Sequence, residues 1–396
     1  MTAYEKDWQI GLAALRPSQK DLEHGLELHR NSFVFDTYGF IPTGGGKFPR
    51  LDELVRGGAS RDEVRYAVEN FRMYESLKDP LMQKKLAETW EFAGVDCVFQ
   101  NSGEESNDIE MLLKRLSSYT GAVDMLDLYE RAVFPDQFAG IRERGHKAVY
   151  MTTNGVPLPS RLVSAEESLI YIEIFFKLGI RMMHMTYNRR NLLGSGCAEP
   201  NDAGLSDLGR LAVREMNRLG IIPDVAHSGH LTSLETALCS EKPVVSSHAV
   251  TGKLSTHFRA KNDEVISALK KTNGLIGICA YPPFIQGDMT INAFIDHVDY
   301  VARTFGVDHV GIGTDRGTWL APVEFEESVP KSRAIFENFW NGTTLSGIAT
   351  EEQFSQIAWT NWPLFTVALV MRGYKDDEIR KIIGGNVLRV LKESAV

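Results

Sequence analysis

Cysteine is scarce in this sequence, with four residues among 396. Cys97, Cys197, Cys239 and Cys279 are scattered along the chain and form no CxxC motif. Disulfide frameworks and thiolate zinc sites both need closely patterned cysteines. The sequence therefore predicts neither of them.

Long apolar runs are also missing. No segment approaches the roughly 20 apolar residues that span a bilayer. The first residues, MTAYEKDWQIGLAALRPSQKD, lack a basic start followed by an apolar segment and a cleavage site. We therefore expect a cytoplasmic protein with no membrane partner. The formal charge of -9 argues against binding to a nucleic-acid backbone.

The stretch from Gly220 to Val250 carries the clearest pattern that is present. Two short apolar runs, Ile221 to Ala226 and Pro243 to Val245, each lead to a histidine, His227 and His248, and a segment of helical length separates them. In a parallel sheet, the carboxyl ends of both strands lie at the same edge. The two imidazoles are then expected to approach one another. They could bind a metal, stabilise an anionic transition state, or close the top of the core as hydrogen-bonded histidines.

Eight apolar segments separated by helical patterns predict an α/β fold, specifically a (β/α)8 TIM-type barrel. The predicted strands are Ser32 to Tyr38, Val95 to Gln100, Lys147 to Thr153, Ile180 to Thr186, Ile221 to Ala226, Pro243 to Val245, Leu275 to Ala280 and His309 to Gly313. An open doubly wound sheet is the competing fold. It is disfavoured because the glycines at 44–46 lie in a loop and no glycine-rich phosphate turn follows an early strand.

We expect a single barrel domain over residues 1–396, with a helical insertion at about 42–92. A long loop at about 316–362 holds Trp319, Trp340, Trp359 and Trp362. A loop after the eighth strand would overhang the barrel mouth, so this segment is interpreted as a lid, a dimer contact or ordinary packing onto the barrel.

Several motifs resemble those of the membrane dipeptidase (renal dipeptidase) family of metallopeptidases, within the amidohydrolase-like barrels. They are MTYNRRNLLG, GLSDLGRLAVREMNRLGIIPDVAHSG, VVSSHA, HVGIGTD and DDEIRKIIGGNVLRVLK. The resemblance implies an eight-stranded barrel, commonly a homodimer, in which two zinc ions bridged by a glutamate support hydrolysis of short peptides. It covers the last two-thirds of the chain best.

The resemblance also implies roles for four residues. His227 and His248 match ligands of the second zinc ion, and Arg259, eleven residues after His248, matches the arginine that binds the substrate's carboxylate. Asp315 matches the aspartate that handles the proton of the attacking water.

Other positions depart from the family pattern. Tyr38 and Phe40 replace the histidine and aspartate of the first zinc site, Asn154 replaces the bridging glutamate, and Tyr187 replaces a histidine expected after the fourth strand. The first zinc site is therefore absent as written. We expect Asp315, His227, His248 and Tyr187 to be catalytic, and Arg259, Tyr38, Asn154 and Trp319 to bind substrate.

Two interpretations of the altered site remain open. In the first, His227, His248 and Asp315 hold at most one zinc or other divalent ion, with Asp36 or His230 as alternative third ligands, and the protein is a dipeptidase-like hydrolase of a small amide that carries a carboxylate. In the second, the pocket holds no metal and supports proton transfer, a rearrangement or binding alone. Substrate and metal identity do not follow from the sequence.

Overall fold

The computed structural model describes residues 2–102, 108–159, 161, 164–325 and 348–396. Its β-strands, in chain order, are β1 (Phe35–Gly39), β2 (Gly46–Lys47), β3 (Cys97–Asn101), β4 (Tyr129–Arg131), β5 (Lys147–Thr153), β6 (Ile180–His184), β7 (Ile222–Asp224), β8 (Val245–Thr251), β9 (Ala260–Lys261), β10 (Leu275–Ile278), β11 (Val310–Ile312) and β12 (Val323–Glu324).

Helices connect these strands. They are α1 (Ala3–Leu15), α2 (Gln19–Arg30), α3 (Pro49–Arg56), α4 (Arg61–Asn70), α5 (Pro80–Ala93), α6 (Ile109–Met125), α7 (Gln137–Glu143), α8 (Ala165–Lys177), α9 (Asp207–Leu219), α10 (His230–Cys239), α11 (Asp263–Lys271), α12 (Pro282–Ile285), α13 (Ile291–Phe305), α14 (Glu351–Gln356), α15 (Trp362–Met371), α16 (Asp376–Arg380) and α17 (Asn386–Ser394). A π-helical turn, Phe71–Glu75, continues α4.

Eight of the strands form a nearly closed parallel barrel in the order β1, β3, β5, β6, β7, β8, β10, β11. Backbone hydrogen bonds bring its two edges together. The N–H of Asp315 donates to the carbonyl of Tyr38 at 2.9 Å, and the N–H of Phe40 donates to the carbonyl of Arg316 at 3.0 Å. The barrel architecture is therefore confirmed. Each of the eight predicted strands has a counterpart, but the sixth, predicted at Pro243 to Val245, runs from Val245 to Thr251 and contains His248.

An apolar layer fills the barrel toward the amino ends of its strands. Its members include Phe35, Phe99, Met182, Ile222, Val245 and Leu275, and Val387, Val390 and Leu391 of α17 pack against them. Most of these strand residues stand at or near the first position of their strand. The carboxyl ends are therefore left for polar side chains.

Two sequence interpretations need correction. The pattern between Glu110 and Arg144 predicts continuous helix, but β4 interrupts it and pairs in parallel with β5. The tryptophan-rich segment is not all loop, because α14 lies within it. Trp359 and Trp362 are buried core residues and not parts of a lid. Trp340 lies outside the described residues.

Within the residues that the structure describes, no helix has both the length and the apolar character that crossing a bilayer requires.

A candidate active site at the carboxyl ends of the strands

Three buried histidines meet at the carboxyl ends of neighbouring strands. His184 ends β6, His227 follows β7 and His248 lies in β8. One ring nitrogen from each lies within 4.8 Å of the others. The closest pair is Nε2 of His227 and Nε2 of His248, at 3.0 Å. The parallel strands therefore bring the two predicted histidines together, with a third beside them.

Neighbouring side chains hold the second nitrogen of each ring. Nδ1 of His227 lies 2.7 Å from Oδ1 of Asn188, and Nδ1 of His248 lies 2.8 Å from Oγ of Ser247. Burial, followed by the charge of Arg259, lowers the pKa of both His227 and His248 well below the usual value. Both rings are therefore neutral near pH 7, so one Nε2 donates to the other across the 3.0 Å contact.

Arg259 contributes a positive charge to this cluster. The side chain is fully buried, and its Nη1 lies 2.7 Å from both ring nitrogens of His227. Its Nη2 donates to the backbone carbonyl of His248 at 2.7 Å. The guanidinium predicted to bind a substrate carboxylate is thus already engaged with the histidines.

His184 pairs with a buried carboxylate, Asp224, at the end of β7. Its Nε2 lies 3.0 Å from Oδ2 of Asp224, and neither atom meets hydrogen-bond geometry with a described residue. Its Nδ1 lies 2.9 Å from the carbonyl of Thr153 and must donate to that oxygen. Burial would raise the pKa of Asp224, but His184 and hydrogen bonds from Ser247 bring it below its usual value.

Two phenol rings cover the histidines. Tyr38 stacks on His248 with ring centroids 3.8 Å apart, and Tyr187 stacks on His227 at 4.1 Å. The hydroxyl of Tyr38 donates to Oδ1 of Asn154. Three of the four residues that replace family metal ligands or polar contacts, Tyr38, Asn154 and Tyr187, therefore belong to this cluster.

Asp315 lies between this buried cluster and an open cavity. It has a φ of 55°, a left-handed conformation that aspartate tolerates better than most residues. Burial raises the pKa of its carboxyl to about 6, against the lowering effects of Arg259, His184 and Arg316. The cavity has a volume of about 800 Å³, and Trp319, which is 71% exposed, stands at its rim.

The predicted site residues therefore fall into two groups. Tyr38, Asn154, Tyr187, His227, His248 and Arg259 form the buried cluster, while Asp315 and Trp319 line the cavity. Sequence reasoning missed His184 and Asp224. The signal was available, because His184 ends its strand as a polar residue after the apolar run IRMM.

The proposed metal ligands are not assembled as predicted. Among the described residues, the three metal-binding side chains that approach one another are His184, His227 and His248, and Asp315 is not one of them. Asp36 instead accepts hydrogen bonds from Thr314 and from Nε1 of Trp359. His230 begins α10 and contacts Glu264 at 3.1 Å.

The zinc ion that the family resemblance implies does not fit this arrangement of side chains. A zinc ligand must present a free nitrogen lone pair, and catalytic sites usually have three protein ligands. Both nitrogens of His184 face protein groups, and the Arg259 guanidinium lies against both nitrogens of His227. A second cation there would be repelled. The residues as arranged do not fit a resident zinc ion.

Comparison with known proteins identifies the family. The membrane dipeptidase family (Peptidase family M19) matches residues 93–362, which is more than half of the chain. The chain belongs to the membrane dipeptidase family. The resemblance found in the sequence motifs is therefore confirmed. Dipeptidases of this family are metallopeptidases that use zinc.

Curated relatives match part of the chain. Dipeptidase tcpJ of Claviceps purpurea is 31% identical over 56% of this chain and 46% of its own length. Dipeptidase verJ of Clonostachys rogersoniana is 30% identical over 54% of this chain and 49% of its own length. The chain thus spans about half the length of the curated relatives that it matches.

A solved structure extends the similarity to nearly the whole chain. An amidohydrolase from Pseudomonas aeruginosa superposes with a TM-score of 0.70 at 25% identity, covering 93% of this chain and 98% of that one. This similarity supports the amidohydrolase-like barrel.

Proposed function

We propose that this protein is a dipeptidase-like hydrolase that cleaves a small amide carrying a carboxylate, such as a dipeptide, in the cavity beside Asp315. Family membership supports the reaction class. The observation that carries the proposal is the position of Asp315, which opens onto the cavity and lies within electrostatic reach of Arg259 and His184.

Asp315 is the proposed general base. With a pKa of about 6, its carboxylate is mostly ionised at neutral pH yet basic enough to take a proton from water. The resulting hydroxide adds to the amide carbonyl carbon. The same proton then passes to the amine as the C–N bond breaks, which leaves a carboxylic acid and a free amine.

The buried cluster supplies the positive field for this step. Arg259 lies close enough to lower the pKa of Asp315, so it also stabilises negative charge that develops beside that carboxylate. The ring of His227 and the backbone carbonyl of His248 hold the guanidinium in place through contacts at 2.7 Å, and the ring of His248 lies against His227 at 3.0 Å. We propose that the two histidines position Arg259. The site would hold at most one divalent ion, and that ion would have to displace the guanidinium.

A second candidate function is proton transfer or rearrangement on a carboxylate-bearing metabolite, or binding of that metabolite without turnover. The contact between Arg259 and His227 favours it, because that contact takes the place of a metal ligand bond. A base and a fixed cation suffice to abstract a proton next to a carboxylate.

The test is an assay of a dipeptide and N-acyl amino acid panel, with release of free amine as the readout. We expect turnover by the wild type and at least a tenfold loss in His248→Ala, because His227, which contacts the Arg259 guanidinium, loses the imidazole that lies 3.0 Å from its Nε2. Undiminished turnover in His248→Ala would remove the cluster from the mechanism. Exchange of substrate hydrogen for deuterium in D2O without amine release would favour the second function. A cytoplasmic location and a homodimer stay predictions.

A further inference from the structure

Two of the arginines that line the cavity, Arg72 and Arg316, have unused hydrogen-bond donors. Nη1 of Arg72 and Nη1 of Arg316 are buried, and none of the described residues accepts a hydrogen bond from either atom. Arg72 comes from the π-helical turn after α4, and Arg316 follows β11 next to Asp315. A buried guanidinium donor without an acceptor is costly, so such atoms indicate a missing partner.

Aromatic rings hold both guanidinium groups in place. Cζ of Arg72 lies 4.5 Å from the ring centre of Trp319, and Cζ of Arg316 lies 5.2 Å from that of Phe354. Nη2 of Arg316 makes a long contact of 3.5 Å with the carbonyl of Phe354. Rings fix the planes of the two groups but accept no strong hydrogen bond, so the donors stay available to a ligand.

Acidic residues on the cavity wall do not neutralise these two arginines directly. Glu69 pairs with Arg65 at 2.9 Å and with Arg115 at 3.6 Å. Asp7 and Asp315 are within electrostatic reach of Arg316. In the described part of the chain, however, no carboxylate oxygen stands within 4.0 Å of a side-chain nitrogen of Arg72 or Arg316.

We propose that Arg316 and Arg72 form the carboxylate-binding part of the cavity. The ligand class is a small molecule with a carboxylate, placed so that its amide lies beside Asp315. This assignment rests on the proposed hydrolase function and moves carboxylate recognition away from Arg259, whose Nη1 and Nη2 are engaged with His227 and His248. Arginine suits this role because its planar fork matches a carboxylate.

The test is isothermal titration calorimetry with alanyl-alanine and with its C-terminal amide, which differ in the carboxylate alone. We expect the wild-type chain to bind the acid at least about tenfold more tightly than the amide, since hydrogen bonds to charged groups are worth about tenfold or more in affinity. Arg316→Gln and Arg72→Gln are each expected to weaken binding of the acid by about tenfold and to leave binding of the amide unchanged.

A matched control is Arg303→Gln on the outer face of α13, where the side chain is 64% exposed. It should leave both affinities unchanged. Thermal melting confirms that each variant folds, and the comparison of acid with amide on the wild type does not depend on any variant.

Several results would overturn the assignment. They are equal affinity for acid and amide, a preference that survives in both arginine variants, and no binding of either ligand. A preference lost in Arg259→Gln alone would return the role to Arg259. Tight, arginine-dependent binding without hydrolysis would refute the proposed hydrolase and keep this site. Hydrolysis that neither arginine variant affects would refute this site and keep the proposed hydrolase.

Discussion

Nη1 of Arg259 lies 2.7 Å from both ring nitrogens of His227. The two side chains are separated by 32 positions in the chain, yet both are buried at the same barrel mouth. A guanidinium keeps its charge at every pH that a protein survives. This pair therefore places a permanent cation where the family pattern predicts a zinc ligand.

The first prediction concerns zinc and Arg259. We expect the wild-type chain, purified without chelator, to hold less than about half an equivalent of zinc, because the guanidinium repels a second cation. Arg259→Met removes the charge at similar volume and frees a lone pair of His227. This variant is expected to bind zinc at least about tenfold more tightly than the wild type, as measured by competition with a chromophoric chelator.

Arg259→Lys is the matched control for this prediction. Lysine keeps the positive charge, so we expect this variant to take up as little zinc as the wild type. The double variant Arg259→Met with His227→Ala should lose the gained affinity. A full equivalent of zinc in the wild type would show that Arg259 leaves His227 when metal is present and would contradict the exclusion.

The fold and half of the site follow from local sequence patterns. Short apolar runs separated by helical patterns predict the eight barrel strands. Because the carboxyl ends of parallel strands lie at one edge of the sheet, the sequence also predicts that His227 and His248 meet. The sequence analysis did not select His184, because it follows an apolar run and resembles one more core position. Met182, two residues earlier, packs inside the barrel, so His184 lies on the inward face of β6.

The cavity wall could not be predicted in the same way. Arg72 lies in an irregular helical turn far from the barrel strands in sequence, and only packing brings it to Trp319. Arg316 sits in the turn after β11, where Asp315 adopts a left-handed backbone conformation. Neither arginine belongs to a periodic sequence pattern. Long-range contacts place both side chains, so the sequence alone does not predict their positions.

The second prediction concerns the pH dependence of activity. Because the pKa of Asp315 is raised to about 6, the base form fills as the pH rises through that value, so kcat/KM should increase from about pH 5 to 7 and then level off. Asp315→Asn should lower kcat by roughly 10²- to 10⁴-fold and abolish this rising limb. Initial rates of amine release across the pH range measure both effects.

Asp7→Asn offers the comparison for that profile. Asp7 lines the same cavity from α1, and burial raises the pKa of its carboxyl as well. We expect the rising limb to persist in this variant. A limb that disappears in Asp7→Asn and survives in Asp315→Asn would assign the base to Asp7.

The third prediction concerns the buried pair of His184 and Asp224. The folded state lowers the pKa of Asp224 below its usual 3.8, so its stabilising contribution is present above pH 3.8 and is lost as the pH falls through the lowered value. Asp224→Ala leaves the N–H groups of Ala226 and Ser247 without an acceptor and removes the carboxylate 3.0 Å from Nε2 of His184. We expect a loss of about 3 to 5 kcal/mol in the free energy of unfolding at pH 7, measured by urea denaturation.

Asp224→Asn separates charge from hydrogen bonding at this pair. The amide oxygen still accepts from both N–H groups, and the amide nitrogen can donate to Nε2 of His184, so we expect a cost of about 1 to 2 kcal/mol. The stability gap between this variant and the wild type should stay constant from pH 7 to 5 and narrow only below about pH 3.8. Asp308→Asn, a half-exposed carboxylate paired with Lys381, is the surface control. A gap that already narrows between pH 7 and 6 would show that a group other than Asp224 titrates there, and the assignment of the charged partner would be wrong.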